Sequence, residues 1–222
     1  MLIIGIAAPP AGGKSTVARH LAQRGAVWIN ADQIAHQVLE NPVIVQQVIQ
    51  EFGADVASED GKIDRHKLAK RVFGDDDTSR LGLRYLESVL HPPTRRVIHD
   101  KIKAAADAKS PAVVLDIPLL FENDWAKECD EIWFIDTAPE IQRAEAMRRG
   151  WSDDNLSRRQ SRQLSLNEKR RLSTRIIPNH GTLQELIGHV DRLWEDFVNR
   201  SAIDPAQSLK HSHYQPPDMR GY

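Results

Sequence analysis

The chain has 222 residues, 41% of them hydrophobic, with 30 Lys and Arg against 31 Asp and Glu for a formal net charge of −1. That length builds one substantial core with room for an inserted subdomain, and the near-neutral balance removes the case for nonspecific nucleic-acid binding. No run approaches the roughly 18 apolar residues of a membrane span, and neither a basic leader nor a cleavage site precedes the first apolar run, so a cytoplasmic protein with no membrane or nucleic-acid partner is expected.

Leu2 to Ala7 is apolar without alternation, which predicts a strand buried on both faces of a parallel sheet. After the loop Ala8-Pro9-Pro10-Ala11-Gly12-Gly13, Lys14 to Gln23 predicts a helix with Val17, Ala18 and Leu21 on one face and Gly25 at its end. Val27 to Asn30 predicts a second strand, and Asp32 stands where the next helix begins. From Asn41 to about Lys109 the pattern is helical, with breaks expected at Gly53, Asp60-Gly61, Gly74 to Asp77 and His91-Pro92-Pro93.

Strand patterns return at Ala112 to Asp116 and Glu131 to Asp136, each ending in an acid. Between them lies the single cysteine, Cys129, which excludes an intramolecular disulfide and a cysteine-based metal cluster. Pro139 to Arg149 predicts a helix, and Ser152 ahead of Asp153 and Asp154 has the form of a helix cap. Arg143 to Arg175 holds ten basic residues against four acidic ones, an excess of six positive charges. Arg175 to Pro178 predicts the last strand and Thr182 to Val198 an amphipathic helix, while residues 201–222 are polar, contain three prolines and are expected to be disordered. Strand-helix alternation of this kind predicts an α/β fold with a parallel sheet flanked by helices.

Chemistry enters at Ala8 to Ser15. Between a buried strand and a helix, this phrase fits GxxxxGK[ST] apart from Ala8 in place of the opening glycine. Such a P-loop turns backbone N–H groups of Ala11, Gly12 and Gly13 and a helix N-terminus toward phosphates. Lys14 reaches the β- and γ-phosphates, Ser15 ligates Mg²⁺ through its hydroxyl, and Thr16 adds a phosphate contact. An alanine forced into a left-handed backbone at position 8 costs about 1–2 kcal/mol. Asp32, at the carboxyl end of the second strand, is placed to orient an acceptor hydroxyl and take its proton, or to hold the magnesium shell, beside the ordinary reading of a helix N-cap.

The string Gly25 to Val38, with Asn30-Ala31-Asp32-Gln33-Ile34-Ala35-His36 at its centre, resembles a segment of the dephospho-CoA kinase family. Further similar phrases follow in order: Asp60-Gly61-Lys62-Ile63-Asp64-Arg65 with Leu68 and Val72-Phe73, Leu90-His91-Pro92, Asp116 to Glu122, Gln142 to Arg149, Arg159 to Gln163, and Asn179-His180-Gly181-Thr182. The resemblance spans about Leu2 to Trp194.

It implies a P-loop NTPase-type core over residues 1–40 and 110–200 with a helical lid at about 150–173, a helical CoA-side insertion over 41–109, and ATP and dephospho-CoA as partners. It implies the catalytic aspartate at Asp32, nucleotide contacts at Arg149 and Asn179, and an acceptor pocket bordered by His91, Pro118, Leu119, Leu120, Phe121 and Glu122. The expected reaction is in-line transfer of the ATP γ-phosphoryl to the 3′-hydroxyl, with magnesium and Lys14 neutralising charge. A nucleoside or nucleotide kinase on the same scaffold, or a nucleotide-binding regulatory protein with impaired catalysis, are the alternatives. The chain departs from the family at Ala8, at Asn30 for an aspartate, at Glu145 for an arginine and at Thr174 for an aspartate. Glu145 matters most, because an acid in the lid repels phosphate unless it points away.

Overall fold

The computed structural model of the chain describes residues 1–74 and 76–203, the last five as helical backbone only. The expected disorder of 201–222 therefore lies largely outside the described residues. Five strands, β1 (Leu2–Ala7), β2 (Val27–Asn30), β3 (Ala112–Asp116), β4 (Glu131–Thr137) and β5 (Arg175–Asn179), form one parallel sheet in the order β2-β3-β1-β4-β5. Nine α-helices are described: α1 (Lys14–Gln23), α2 (Ala31–Leu39), α3 (Pro42–Phe52), α4 (Arg65–Val72), α5 (Asp77–Asp107), α6 (Pro139–Arg148), α7 (Asp153–Ser161), α8 (Leu166–Leu172) and α9 (Leu183–Ile203). No helix among the described residues is long and apolar enough to cross a membrane.

The chain divides into two compact units. The first takes Met1–Asn30 and Ala104 onward, the second Ala31–Lys103. In the first, β1 is central because both its faces are apolar. Ile4 and Ile6 pack with Val17, Ala18 and Leu21 of α1, with Val114 and Trp133 from the neighbouring strands, and with Leu186, Val190, Trp194 and Phe197 of α9. Each such aliphatic side chain contributes about 1.5–3 kcal/mol on burial, so this cluster anchors the sheet whose carboxyl ends carry the loops discussed below. Cys129 is buried here, and burial pushes its thiol pKa up, which makes it a packed side chain and a poor nucleophile.

The second unit folds around Leu39, Val48, Val56, Leu68, Val72 and Leu86. Its helices begin as their sequences dictate: Asn41 accepts from the Val43 N–H at 3.0 Å ahead of α3, and Asp64 accepts from His66 and Lys67 ahead of α4. Gly53, with φ 92°, follows α3 as expected.

The break expected at His91-Pro92-Pro93 does not occur. α5 runs through both prolines. Two missing N–H groups withdraw the bonds to the carbonyls of Ser88 and Val89, each worth about 0.5–1.5 kcal/mol, and ring crowding adds to that loss. Packing of Leu83, Leu86 and Leu90 in the second unit's core, and burial of Ile98 beyond the prolines, outweighs it.

Candidate active site

The phosphate-loop candidate is held by its carbonyls: those of Pro10 and Gly12 accept from side chains outside the loop, and that of Pro9 closes a turn within it. The Gly12 N–H closes a turn onto the Pro9 carbonyl at 2.9 Å, and a Cβ at position 12 would sit 2.7 Å from that same oxygen, so only glycine fits. Gln142 of α6 donates Nε2 to the Pro10 carbonyl at 2.8 Å, and Thr137 at the end of β4 donates its hydroxyl to the Gly12 carbonyl at 2.9 Å. Asn179, the last residue of β5, donates Nδ2 to that hydroxyl at 3.2 Å, and Gln160 of α7 donates to Gln142 Oε1 at 3.3 Å. Thr137, Gln142 and Asn179 are all buried, so each loses water and each finds a partner here. Gly13, at φ 91°, caps α1 with no side-chain bond to the first turn. The N–H groups of Lys14, Ser15 and Thr16 thus open a helix with its positive dipole end uncapped by any side chain.

The strain predicted for Ala8 lies elsewhere. Ala8 is 1% exposed, packs in the main core, and is absent from the positive-φ residues among the described ones, which include Ala11 at φ 58°. The left-handed position is thus Ala11, whose methyl packs against Ala146, Leu156 and Trp151. Replacing Ala8 by the glycine of the motif is expected to destabilise by about 1 kcal/mol, through a lost buried methyl and added chain freedom, with no gain in nucleotide affinity. Urea denaturation and ATP titration calorimetry check both halves, and tighter ATP binding would contradict this placement of the strain.

Ser15 donates its hydroxyl to Asp116 Oδ2 at 2.8 Å. Asp116 ends β3 and is 4% exposed, so a buried carboxylate and the hydroxyl assigned to the metal stand together at the loop. Two hard oxygen donors of this kind fit a magnesium ion that keeps most of its shell as water and phosphate. Sequence reasoning noted the acid at the end of this strand and did not give it a role.

Glu145 does not present a bare charge. It accepts from Arg149 Nε at 2.7 Å and from Arg148 Nε and Nη2 at 2.7 and 2.8 Å, and these arginines hold its carboxyl down at about 2. Arg149 Cζ lies 5.6 Å from the Trp151 ring centroid and Arg159 Cζ 4.2 Å from it, so the Arg149 charge is fixed by an ion pair and an aromatic face. Two arginines against one acid leave this corner positive. With a folded pKa of about 2 against an ordinary 4.5, Glu145 contributes stability that is complete above pH 4.5 and lost as pH falls toward 2. Wild type is therefore expected to outlast Glu145→Gln in urea at pH 6, with the gap narrowing on acidification. An equal gap at pH 6 and at pH 2.5 would contradict it.

After β3, Leu120 and Phe121 are buried and Pro118, Leu119 and Glu122 partly so. Glu122 Oε1 accepts from the Leu164 N–H at 2.6 Å and lies 3.5 Å from the ammonium of Lys169 in α8. Thr174, the other departure, bonds the Ile132 N–H and carbonyl at 2.9 and 3.0 Å and supports the edge of β4. In the first unit the structure therefore gathers Ala11 to Thr16 and Asn179, and places Arg149 directly after the helix that grips the loop. Asp32 and His91 belong to the second unit. Asp32 is exposed as the second residue of α2, which starts directly after β2 ends, and His91 is exposed within α5.

A family model described as dephospho-CoA kinase matches residues 2–185. A dephospho-CoA kinase of Rhodopirellula baltica is 42% identical over 184 residues, 83% of this chain and 85% of that protein. One from Symbiobacterium thermophilum is 35% identical over 215 residues, 96% and 88% of the respective chains. Among solved structures, one from Thermus thermophilus superposes with a TM-score of 0.73 at 30% identity, covering 88% of this chain and 97% of that one. The dephospho-CoA kinase of Campylobacter jejuni reaches a TM-score of 0.69 at 23% identity over 90% and 98%, a likeness of fold.

Proposed function

The chain belongs to the dephospho-CoA kinase family, and from that premise we propose a division of labour for its transfer of the ATP γ-phosphoryl to the 3′-hydroxyl of dephospho-coenzyme A. The observation that carries it is the loop before Lys14, gripped by Gln142 and Thr137 ahead of a helix whose N-terminus no side chain caps.

The backbone from Ala11 to Thr16 cradles the polyphosphate, and Lys14 neutralises charge on the β- and γ-phosphates. Ser15 and Asp116 hold the magnesium that accompanies ATP, which supplies further neutralisation of the phosphate oxygens. Arg149, pre-set by Glu145 and Trp151, and Asn179 meet the nucleotide. His91 and the segment Pro118 to Glu122 border the acceptor.

Asp32 takes the proton of the 3′-hydroxyl as its oxygen bonds to the γ-phosphorus, while the bond from that phosphorus to the β–γ bridging oxygen breaks and ADP leaves. Helices α7 and α8 form the lid that excludes water. Steady-state assays of Asn179→Ala with ATP varied test the nucleotide side. A rise of about tenfold in KM for ATP is expected from loss of both a contact and the Thr137 bond, and an unaltered KM would remove Asn179 from this role.

A further inference from the structure

Lys169 is a buried cation with no part in the transfer chemistry described above. It is 2% exposed in α8, where its ammonium donates to Gln163 Oε1 at 2.6 Å and reaches Glu122 Oε1 only at 3.5 Å. That carboxylate oxygen is already engaged by the Leu164 N–H, and its twin, Oε2, is buried with no protein partner. An ammonium carries three donors, so one short bond and one long, shared contact leave it under-satisfied. Burial pushes the Lys169 pKa down, Glu122 opposes this, and the nearby charge of Lys14 adds to the depression.

A loose ion pair beside a second ammonium is a poor way to stabilise a fold, because apolar side chains of the same volume generally do as well or better. It suits a place where a polyanion arrives. The Lys14 charge at the loop acts on Lys169 of α8, so an anion arriving between them relieves their mutual repulsion and gains from both.

We propose that Lys169 is a second cationic catalytic residue, donating to an equatorial oxygen of the phosphoryl group in flight, with Glu122 and Gln163 holding it in place. This rests on the kinase reading above. No bond forms to the lysine and no proton leaves it. The acceptor proton still goes to Asp32 and the leaving group is still ADP. Lys169 lowers the barrier by meeting charge that spreads over those oxygens as the old bond breaks.

The test compares wild type, Lys169→Met, Glu122→Gln and the double variant for turnover of dephospho-CoA, with ATP varied and folding checked by circular dichroism. Lys169→Met is expected to lower kcat about 10²–10³-fold with the ATP KM within about threefold. The decisive comparison is the double variant against Glu122→Gln, because neither leaves a buried carboxylate without its cation. There the same 10²–10³-fold loss is expected. Equal rates for those two proteins would show that Lys169 serves only to neutralise Glu122 and would overturn the proposal, even if Lys169→Met alone failed to fold. A wild type with no turnover of dephospho-CoA would remove the kinase reading and this proposal together, whereas an active wild type with equal rates in that pair removes the Lys169 role alone.

Discussion

Asp32→Asn is expected to lower kcat on dephospho-CoA by about 10²–10⁴-fold, the usual range for losing a positioned general base. Asparagine keeps the size of the side chain and a hydrogen-bonding oxygen, so under the proposed assignment the acceptor hydroxyl stays oriented and only the proton acceptor is lost. Asp32 is the second residue of α2 and is exposed, immediately after the carboxyl end of β2, an end of a parallel sheet where ligands gather. None of the groups assigned to the nucleotide is altered by the change, so calorimetric ATP affinity should stay within about twofold, since energetically independent sites do not couple. Equal turnover by the variant, or a loss of ATP binding that accounts for all of the rate effect, would remove Asp32 from proton transfer.

Asp116→Asn is expected to slow turnover by about 10²–10³-fold and to raise the magnesium concentration needed for half-maximal rate. The asparagine oxygen still accepts from the Ser15 hydroxyl across the present 2.8 Å, so the loop keeps its geometry while the negative charge is lost. Because the carboxylate is buried, water screens it little and its charge acts strongly on a nearby cation. Rates measured against free magnesium for both proteins separate this from a folding defect. Superimposable magnesium curves would show that Asp116 only anchors Ser15.

Much of this was legible in the sequence because it depends on local pattern. The bounds of β1, α1 and β2 follow from an unbroken apolar run, an amphipathic face and the glycines between them, and the loop before Lys14 is read from residues that are adjacent in the chain. Where the reading failed, distant parts decide. Pro92 and Pro93 locally favour a break, yet Leu86 before them and Ile98 after them are buried, with Leu83 and Leu90 packed against the same core, and tertiary packing overrides the propensity.

Ala8 was judged by a motif that cannot say which loop residue turns left-handed, and the structure puts that turn at Ala11. Thr137 carries no signal, and Gln142 and Gln160 lie within family-like phrases that give neither of them a partner. Their work is to bond loop carbonyls, or each other, from up to 132 residues away. Asp116 did carry a signal, an acid closing an apolar strand, but only its contact with Ser15 gives that acid a purpose. Glu145 looked like a defect in one dimension because its two arginine partners become neighbours only on a helix turn.

The measurement that bears most directly on the whole account is a coupled ADP-release assay with ATP, magnesium and dephospho-CoA, run beside a control without acceptor, with the position of the new phosphate read by phosphorus NMR. One ADP per coenzyme A formed, a phosphate on the ribose 3′-oxygen, and little ADP when the acceptor is left out are the expected results. ADP release that ignores dephospho-CoA, or phosphate delivered to a different oxygen, would contradict them.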